Sequence, residues 1–250
     1  MEIAEEHHGY GYRRTTAELH HRGYCNNHKV IEKLNRLWYL SLGRKVKVPK
    51  PNPLFQLLKE VGEESNLVRK LKEIDILEVL YTDFTEIIYG KGKLKAQLMP
   101  IVDHRSKLVA GHALGPGANT DLALKAWGRA KRCLNHLGKP LENVIIHHDK
   151  DGVYLSHRWL NEIVIKSRVR ISYSERGAKE NVHMESFNGH FKQENRDLFW
   201  EQEDIEALRN IVNERLRYYN YKRRHSSLGN ISPIEYLKKK GLRASEVSHR

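Results

Sequence analysis

Between residues 76 and 114 the apolar side chains alternate along the chain, and no other stretch limits the possible fold as much. Ile76 to Tyr89 is rich in alternating and β-branched apolar residues. Leu94 to Val102 follows the turn Gly90-Lys91-Gly92-Lys93, and Leu108 to Leu114 follows Asp103-His104-Arg105-Ser106. Period-two runs separated by turn chemistry predict three adjacent antiparallel strands. The period then changes. Thr120 is expected to cap a helix with Ala123, Trp127, Ala130, Leu134 and Leu137 on one face, and Val144-Ile145-Ile146 reads as a short buried strand. A helix near 156–165, a strand near 169–173 and a long helix over 179–195 follow. Three strands, then helices alternating with two more strands, predict an α/β domain, and the pattern alone leaves several mixed folds open.

The flanks read differently. Residues 10–40 predict two short helices around a turn: the first, near Thr15 to His21, is closed by Gly23, and the second is capped by Asn26 or Asn27. The second helix places Ile31, Leu34 and Trp38 on one face and Lys29, Lys33 and Arg36 on another. That suits a helix-turn-helix, and equally a plain helical hairpin with a solvated basic face. Residues 44–55 combine four basic residues with three prolines and read as linker. At the other end, Ile205, Leu208, Val212, Leu216 and Tyr219 align on a helix over 203–221, with turns expected at Gly229 and Pro233. The expected divisions are a helix-turn-helix-like module over 1–43, a linker over 44–73, a catalytic core over 74–200 and a helical extension over 201–250.

Forty-four Lys and Arg against 31 Asp and Glu give a net charge of +13. The excess runs along the whole chain rather than in a tail, so an extended polyanion such as nucleic acid is the expected partner class. Cys25 and Cys133 form no CxxC pair, which argues against a disulfide framework or a Cys-rich zinc site. No apolar run approaches a membrane span and no signal peptide is evident, so a cytoplasmic location is expected.

Three acids stand out. Asp83 interrupts an apolar strand run, where a charge is costly unless something positive meets it. Asp149 directly follows the strand ending in His147-His148, at the kind of strand end where α/β sheets place ligands. Glu185 lies on the long helix, with 35 residues between it and Asp149. Singly, each has a bland explanation: a buried hydrogen-bonded acid, a turn residue, a solvated helix residue. Together, two strands and a helix can deliver three carboxylates to a pair of hard divalent cations and support in-line phosphoryl transfer.

The surrounding residues carry a resemblance. Tyr10-Gly11-Tyr12-Arg13-Arg14, Ala17-Glu18-Leu19, Arg22-Gly23-Tyr24 and Asn27-His28-Lys29 form one block. Tyr81-Thr82-Asp83-Phe84-Thr85 forms another, and His148-Asp149 with Val153-Tyr154-Leu155-Ser156 a third. Glu185-Ser186-Phe187-Asn188-Gly189-His190-Phe191-Lys192-Gln193-Glu194 is the fourth. The last comprises Tyr219-Asn220, Arg223, His225-Ser226-Ser227-Leu228-Gly229 and Ser232-Pro233-Ile234-Glu235-Tyr236. In this order they resemble bacterial insertion-sequence transposases of the second-frame type with a retroviral-integrase-like DDE core.

The resemblance implies an α/β, ribonuclease-H-like (retroviral integrase-like) core behind a helix-turn-helix-like module. It implies DNA cleavage and strand transfer at the ends of an insertion sequence, with Asp83, Asp149 and Glu185 binding Mg²⁺, or Mn²⁺ as a substitute. Lys192, seven residues after Glu185 on the same helix face, would hold a DNA phosphate. Arg13, Arg14, Lys29, Lys33 and Arg36 would contact DNA at the terminal inverted repeats. Target DNA, a homo-oligomeric state, a partner polypeptide from the upstream frame and nucleoid association when DNA-bound are further implications. Two departures stand out: Lys150-Asp151-Gly152, which sets a competing carboxylate two residues from Asp149, and Arg224, where a proline is common.

His147 and His148 suit zinc better than magnesium, and alternation points their side chains in opposite directions, so packing or orienting roles are expected. Trp127 and Trp159 are expected in the core. Two other readings stay open: an end-binding regulator without catalysis by the isolated chain, and a ribonuclease-H-like nuclease. The intact acid set speaks against the first, and the N-terminal module with the closing motif against the second.

Overall fold

The computed structural model describes residues 2–40, 54, 57, 62–174 and 181–242. Most of the expected linker segment 44–55 lies outside the described residues, as do residues 179 and 180 of the expected long helix. The chain separates into two compact units, Met1–Lys50 and Pro51–Arg250.

In the first unit, α1 (Glu2–Glu6), α2 (Tyr12–His21) and α3 (His28–Leu37) are short. Arg22 binds Glu18 at 2.9 Å and also pairs with Glu6, so one guanidinium joins α1 to α2. Gly23 takes φ +86° after α2, the left-handed conformation expected of a helix-closing glycine. Asn27 caps α3 by accepting from the Lys29 amide at 2.9 Å. The apolar face of α3 is only partly covered: Ile31 is buried, whereas Trp38 is 50% exposed.

The second unit is built on one mixed sheet of β1 (Val79–Thr82), β2 (Thr85–Tyr89), β3 (Leu94–Asp103), β4 (Val109–Gly115), β5 (Ile145–His148) and β6 (Arg170–Tyr173). Strand β3 pairs antiparallel with β1 and β2 through its two halves and with β4 as well, while β5 lies parallel to β1 and β6 parallel to β5. The single strand expected over 76–89 is thus interrupted. Thr82 faces Ile101 and Thr85 faces Leu98, so the two segments share one register and Asp83 falls opposite Pro100. Proline has no N–H, and the ladder lacks a donor at that rung. Before the strand, Leu77 holds φ +58°, which starts β1 later than the apolar pattern predicts.

Helix α4 (Thr120–His136) covers one face of the sheet. Its cap is Asn119, which accepts from the Leu122 amide at 2.9 Å, and Thr120, expected in that role, is the first helical residue. Trp127, Ala130 and Leu134 pack there with Leu80, Met99, Ile101 and Ile146. Gly111 makes the contact possible, because a Cβ on it would lie 2.5 Å from both the Ala126 carbonyl oxygen and the Ala130 nitrogen.

Next come α5 (His157–Leu160), continued by a wide π-type turn over Asn161–Lys166, then α6 (Val182–Glu194), α7 (Arg196–Trp200) and α8 (Ile205–Tyr221). Phe187 and Phe191 of α6 and Leu208, Val212 and Leu216 of α8 cover the opposite face, over Val79, Tyr81, Leu98, Val102 and Ile145. Alternate residues of β1 and β5 therefore feed opposite cores, as the period of a strand requires. Pro233 does not merely mark a turn: it opens α9 (Pro233–Lys239), where Ser232 and Glu235 form a reciprocal capping box. Antiparallel pairing among β1 to β4, with β1 and β2 as one interrupted strand, followed by the two parallel strands β5 and β6 and with helices on both faces, makes the core ribonuclease-H-like. Among the described residues no helix is long and apolar enough to cross a membrane.

Candidate active site

The parallel pairing of β1 with β5 brings two of the three acids together. Val79 lies level with Ile145 and Tyr81 with His147, so the register carried two residues further sets Asp83 level with Asp149. Each acid is the first residue past its strand, and adjacent strands run about 4.8 Å apart. Both are half-buried.

Burial, first, and then the charge of Asp149 push the Asp83 carboxyl up to about 6, with smaller contributions from Asp151 and Glu185; a hydrogen bond from the Phe84 amide opposes them. Burial likewise raises Asp149, against a hydrogen bond that the Asp151 amide donates to its Oδ1 at 3.0 Å. Asp83, Asp149, Asp151 and Glu185 thus share one region.

Glu185 arrives by a different route. Asn181, buried at the start of α6, donates from Nδ2 to the Thr82 carbonyl at 3.4 Å. Met184, Phe187 and Phe191 bury the inner face of the helix. This leaves Glu185 exposed in the first helical turn, near the end of β1. Lys192 is half-buried on the same side of α6, seven residues along. Asp151 is exposed, and its Oδ1 accepts from the Val153 amide at 2.8 Å, so the competing acid shapes the turn that follows Asp149.

The two histidines turn to opposite faces. His147 bonds Ser172 Oγ through Nδ1 at 2.9 Å and meets the Tyr81 ring edge-on. His148 stacks on Tyr154 with ring centres 4.1 Å apart. Trp159 Nε1 donates to its Nε2 at 3.3 Å, so Nδ1 carries the proton and donates to the Asp149 carbonyl at 2.8 Å. Burial holds the ring far below its ordinary value, at about 3. With both nitrogens committed, His148 orients the Asp149 backbone and is unavailable as a metal ligand. Trp127 and Trp159 are fully buried.

As placed, no group of three His, Cys, Asp or Glu among the described residues stands close enough to hold a metal ion. The donor chemistry nevertheless fits a hard divalent cation: the acids offer only oxygen, and the mutual repulsion that raises Asp83 is what a cation relieves.

In the first unit, Arg13, Arg14, Lys29, Lys33 and Arg36 are all exposed, and Arg36 is paired with Glu32 at 2.8 Å. The closing motif proves to be a set of ties. Asn220 is fully buried and exchanges two 2.9 Å hydrogen bonds with the Val109 backbone. Arg223 grips the Glu194 carboxylate through Nε at 2.8 and 3.1 Å. Sequence reasoning did not find Asn181, Pro100 or these ties as parts of the site's support. Asn220 and Arg223 stood in the closing block, with nothing in the sequence to show what they bind.

A family model for the integrase core domain matches residues 167–233. The chain is 31% identical over 241 residues to the InsK protein of insertion sequence element IS150 from Escherichia coli K12, named as a transposase; the match covers 94% of this chain and 80% of that one. It is 28% identical to the protein of element IS1353 from Shigella flexneri, also named as a transposase, over 93% of this chain and 44% of the relative. Among solved structures, the catalytic core domain of HTLV-2 integrase, in a dimeric form with magnesium, aligns at a TM-score of 0.47 and 21% identity. That alignment covers 65% of this chain and 96% of that one. With the relationship to InsK running through nearly its whole length, the chain belongs to the bacterial insertion-sequence transposases with an integrase-type core.

Proposed function

We propose that the protein cleaves DNA at the ends of an insertion sequence and transfers the exposed 3′ strand end to target DNA, with Asp83, Asp149 and Glu185 as the metal-binding acids. The observation that carries this reading is the level placement of Asp83 and Asp149 past adjacent parallel strands, where burial and mutual charge lift Asp83 to about 6. Such a pair favours either a proton or a cation between its members. Held there, Mg²⁺, or Mn²⁺ in its place, would activate the attacking oxygen and stabilise the leaving oxygen of a phosphodiester.

The chain's own residues supply the rest. His148 fixes the backbone that presents Asp149, and Asn181 ties the helix bearing Glu185 to the end of β1. Lys192 holds a phosphate beside the acids, by charge and by its position on the Glu185 face. The helix-turn-helix-like module is assigned to 1–43, the linker to 44–73, the core to 74–200 and the helical extension to 201–250, although Leu67, Val68 and Leu71 of the linker range pack against the core. In the module, Arg13, Arg14, Lys29, Lys33 and Arg36 grip the terminal inverted repeats. Bringing two ends together calls for a homo-oligomer, with a partner polypeptide from the upstream frame as a further component, in the cytoplasm at the nucleoid.

The test is incubation with end-bearing DNA and Mg²⁺, beside Asp83→Asn, Asp149→Asn and Glu185→Gln. Wild type is expected to nick and join the DNA and the variants only to bind it. Equal binding with no cleavage by any of the four proteins would overturn the enzymatic reading.

A further inference from the structure

Glu185 and Lys192 occupy one side of α6. At 100° per residue, His183, Ser186 and His190 fall on a different side, and there they line a cavity of about 300 Å³. Its other walls are the turn after β3, with His104 and Lys107, and the closing segment, with Arg224, His225, Ser226 and Ser227.

The charges in it are unbalanced. Asp103 is the one lining acid, and its oxygens are already taken by the Leu77 amide, the Ser106 amide and the Ser106 hydroxyl at 2.9, 2.7 and 2.6 Å. Arg223, also in the wall, is neutralised by Glu194. Lys107 donates to the His104 carbonyl at 2.6 Å and Arg224 to the Asn230 carbonyl at 3.0 Å; Lys107 feels the charge of Asp103 and Arg224 that of Glu235, but no salt bridge of either is found among the described residues. His104 Nδ1 is buried with no hydrogen-bond partner among the described residues.

Two cations outside any salt bridge among the described residues, imidazoles and three serine hydroxyls around a solvent-connected cavity are the donor set for a phosphate group. We infer that this cavity is a phosphodiester-binding pocket, distinct from the acid site, in which Lys107 and Arg224 hold a backbone phosphate of the DNA. The inference rests on the proposed function for the identity of its ligand: free phosphate has the same chemistry, and the net charge of +13 spread along the sequence favours DNA. Because α6 separates the two sites, a strand held in the pocket would be fixed to the helix that carries Glu185.

Lys107→Gln and Arg224→Gln remove the charges while keeping an amide donor. Lys166→Gln, at a lysine paired with Glu162, serves as control. Binding of a labelled end-bearing duplex is measured in full-length protein at several salt concentrations, with thermal melting as a check on folding. Inorganic phosphate is titrated separately while the histidine ring NMR signals are followed.

Each pocket variant is expected to weaken duplex binding about three- to ten-fold and to flatten the slope of log K against log salt by about one. The control should match wild type. Wild-type affinity and slope in both pocket variants would overturn the pocket. Ring signals that move with inorganic phosphate while duplex binding is unchanged would show a free-phosphate site and overturn the DNA assignment. Failure of wild type itself to bind duplex would instead overturn the proposed function, and the pocket's ligand with it.

Discussion

Replacing Asp83 by Asn is expected to stabilise the metal-free protein at neutral pH while abolishing cleavage. A carboxyl lifted from its ordinary value to about 6 is penalised in its charged form. At about 1.4 kcal/mol for each pH unit, the ceiling is about 3 kcal/mol. Asp83 is only half-buried, and solvent screening reduces the figure to about 1.5 kcal/mol. Asn keeps an oxygen for the Phe84 amide and sheds the repulsion from Asp149.

The sign follows from linkage. A carboxyl raised in the folded state contributes stability below its unfolded value and loses it as pH rises through the folded one. Wild type is therefore handicapped above about pH 6 and level with the variant below about pH 4. For a folded unit of this size the gain is about 3–6 °C in Tm. Calorimetry in EDTA at about pH 7.5 and again at about pH 4 reads both ends of the window. Added Mg²⁺ should raise the Tm of wild type more than that of the variant. An Asn variant that melts at or below wild type at the higher pH, or a difference that does not shrink in acid, would refute the electrostatic account of the site.

The remaining ties are open to similar tests. Glu194→Gln breaks the grip of Arg223 and should cost about 1 kcal/mol in thermal melting. Arg223 holds the Glu194 carboxyl below its usual range, so that stability is present above the ordinary carboxylate value and fades as pH falls through the lowered one. Gly111→Ala, with no room for its methyl against α4, should cost about 1–3 kcal/mol in denaturant unfolding; a neutral result would contradict the close approach of β4. Asn220→Ala leaves the Val109 amide and carbonyl without partners and should cost about 2 kcal/mol by the same measurement. Joint replacement of Lys29 and Lys33 by Ala should weaken binding to all duplexes alike and reduce its salt dependence by about two, read by anisotropy.

Much of this architecture was legible in the sequence because its signals are local. Alternation between residues 76 and 114 marks the meander, and Ala123, Trp127, Ala130 and Leu134 mark the buried face of α4. The sequence also singled out Asp83, Asp149 and Glu185, each at the end of an apolar run or inside a motif block, and the structure sets the first two level with each other. What stayed hidden depends on partners far away in sequence. Nothing near Asp83 shows that Pro100 lies opposite it, and nothing near Asp149 shows that the register brings it level with Asp83. The helix cap at Asn119 and the helix start at Pro233 were misplaced by one residue and by element type, because Asn, Thr and Pro suit both turns and helix starts. The wall of the phosphate pocket combines three distant segments, none with a periodic signature.

Pro100 also sets the mechanics of the sheet. A continuous ladder carries bending load along its full length, whereas a missing rung interrupts it. Val79–Thr82 and Thr85–Tyr89 then act as two stiff beams meeting at a compliant joint, and the joint is the residue that carries the acid. Distortion from the far hairpin is therefore expected to be taken up at Asp83 first, which hydrogen exchange at the amides flanking it, faster than within either strand, would reveal.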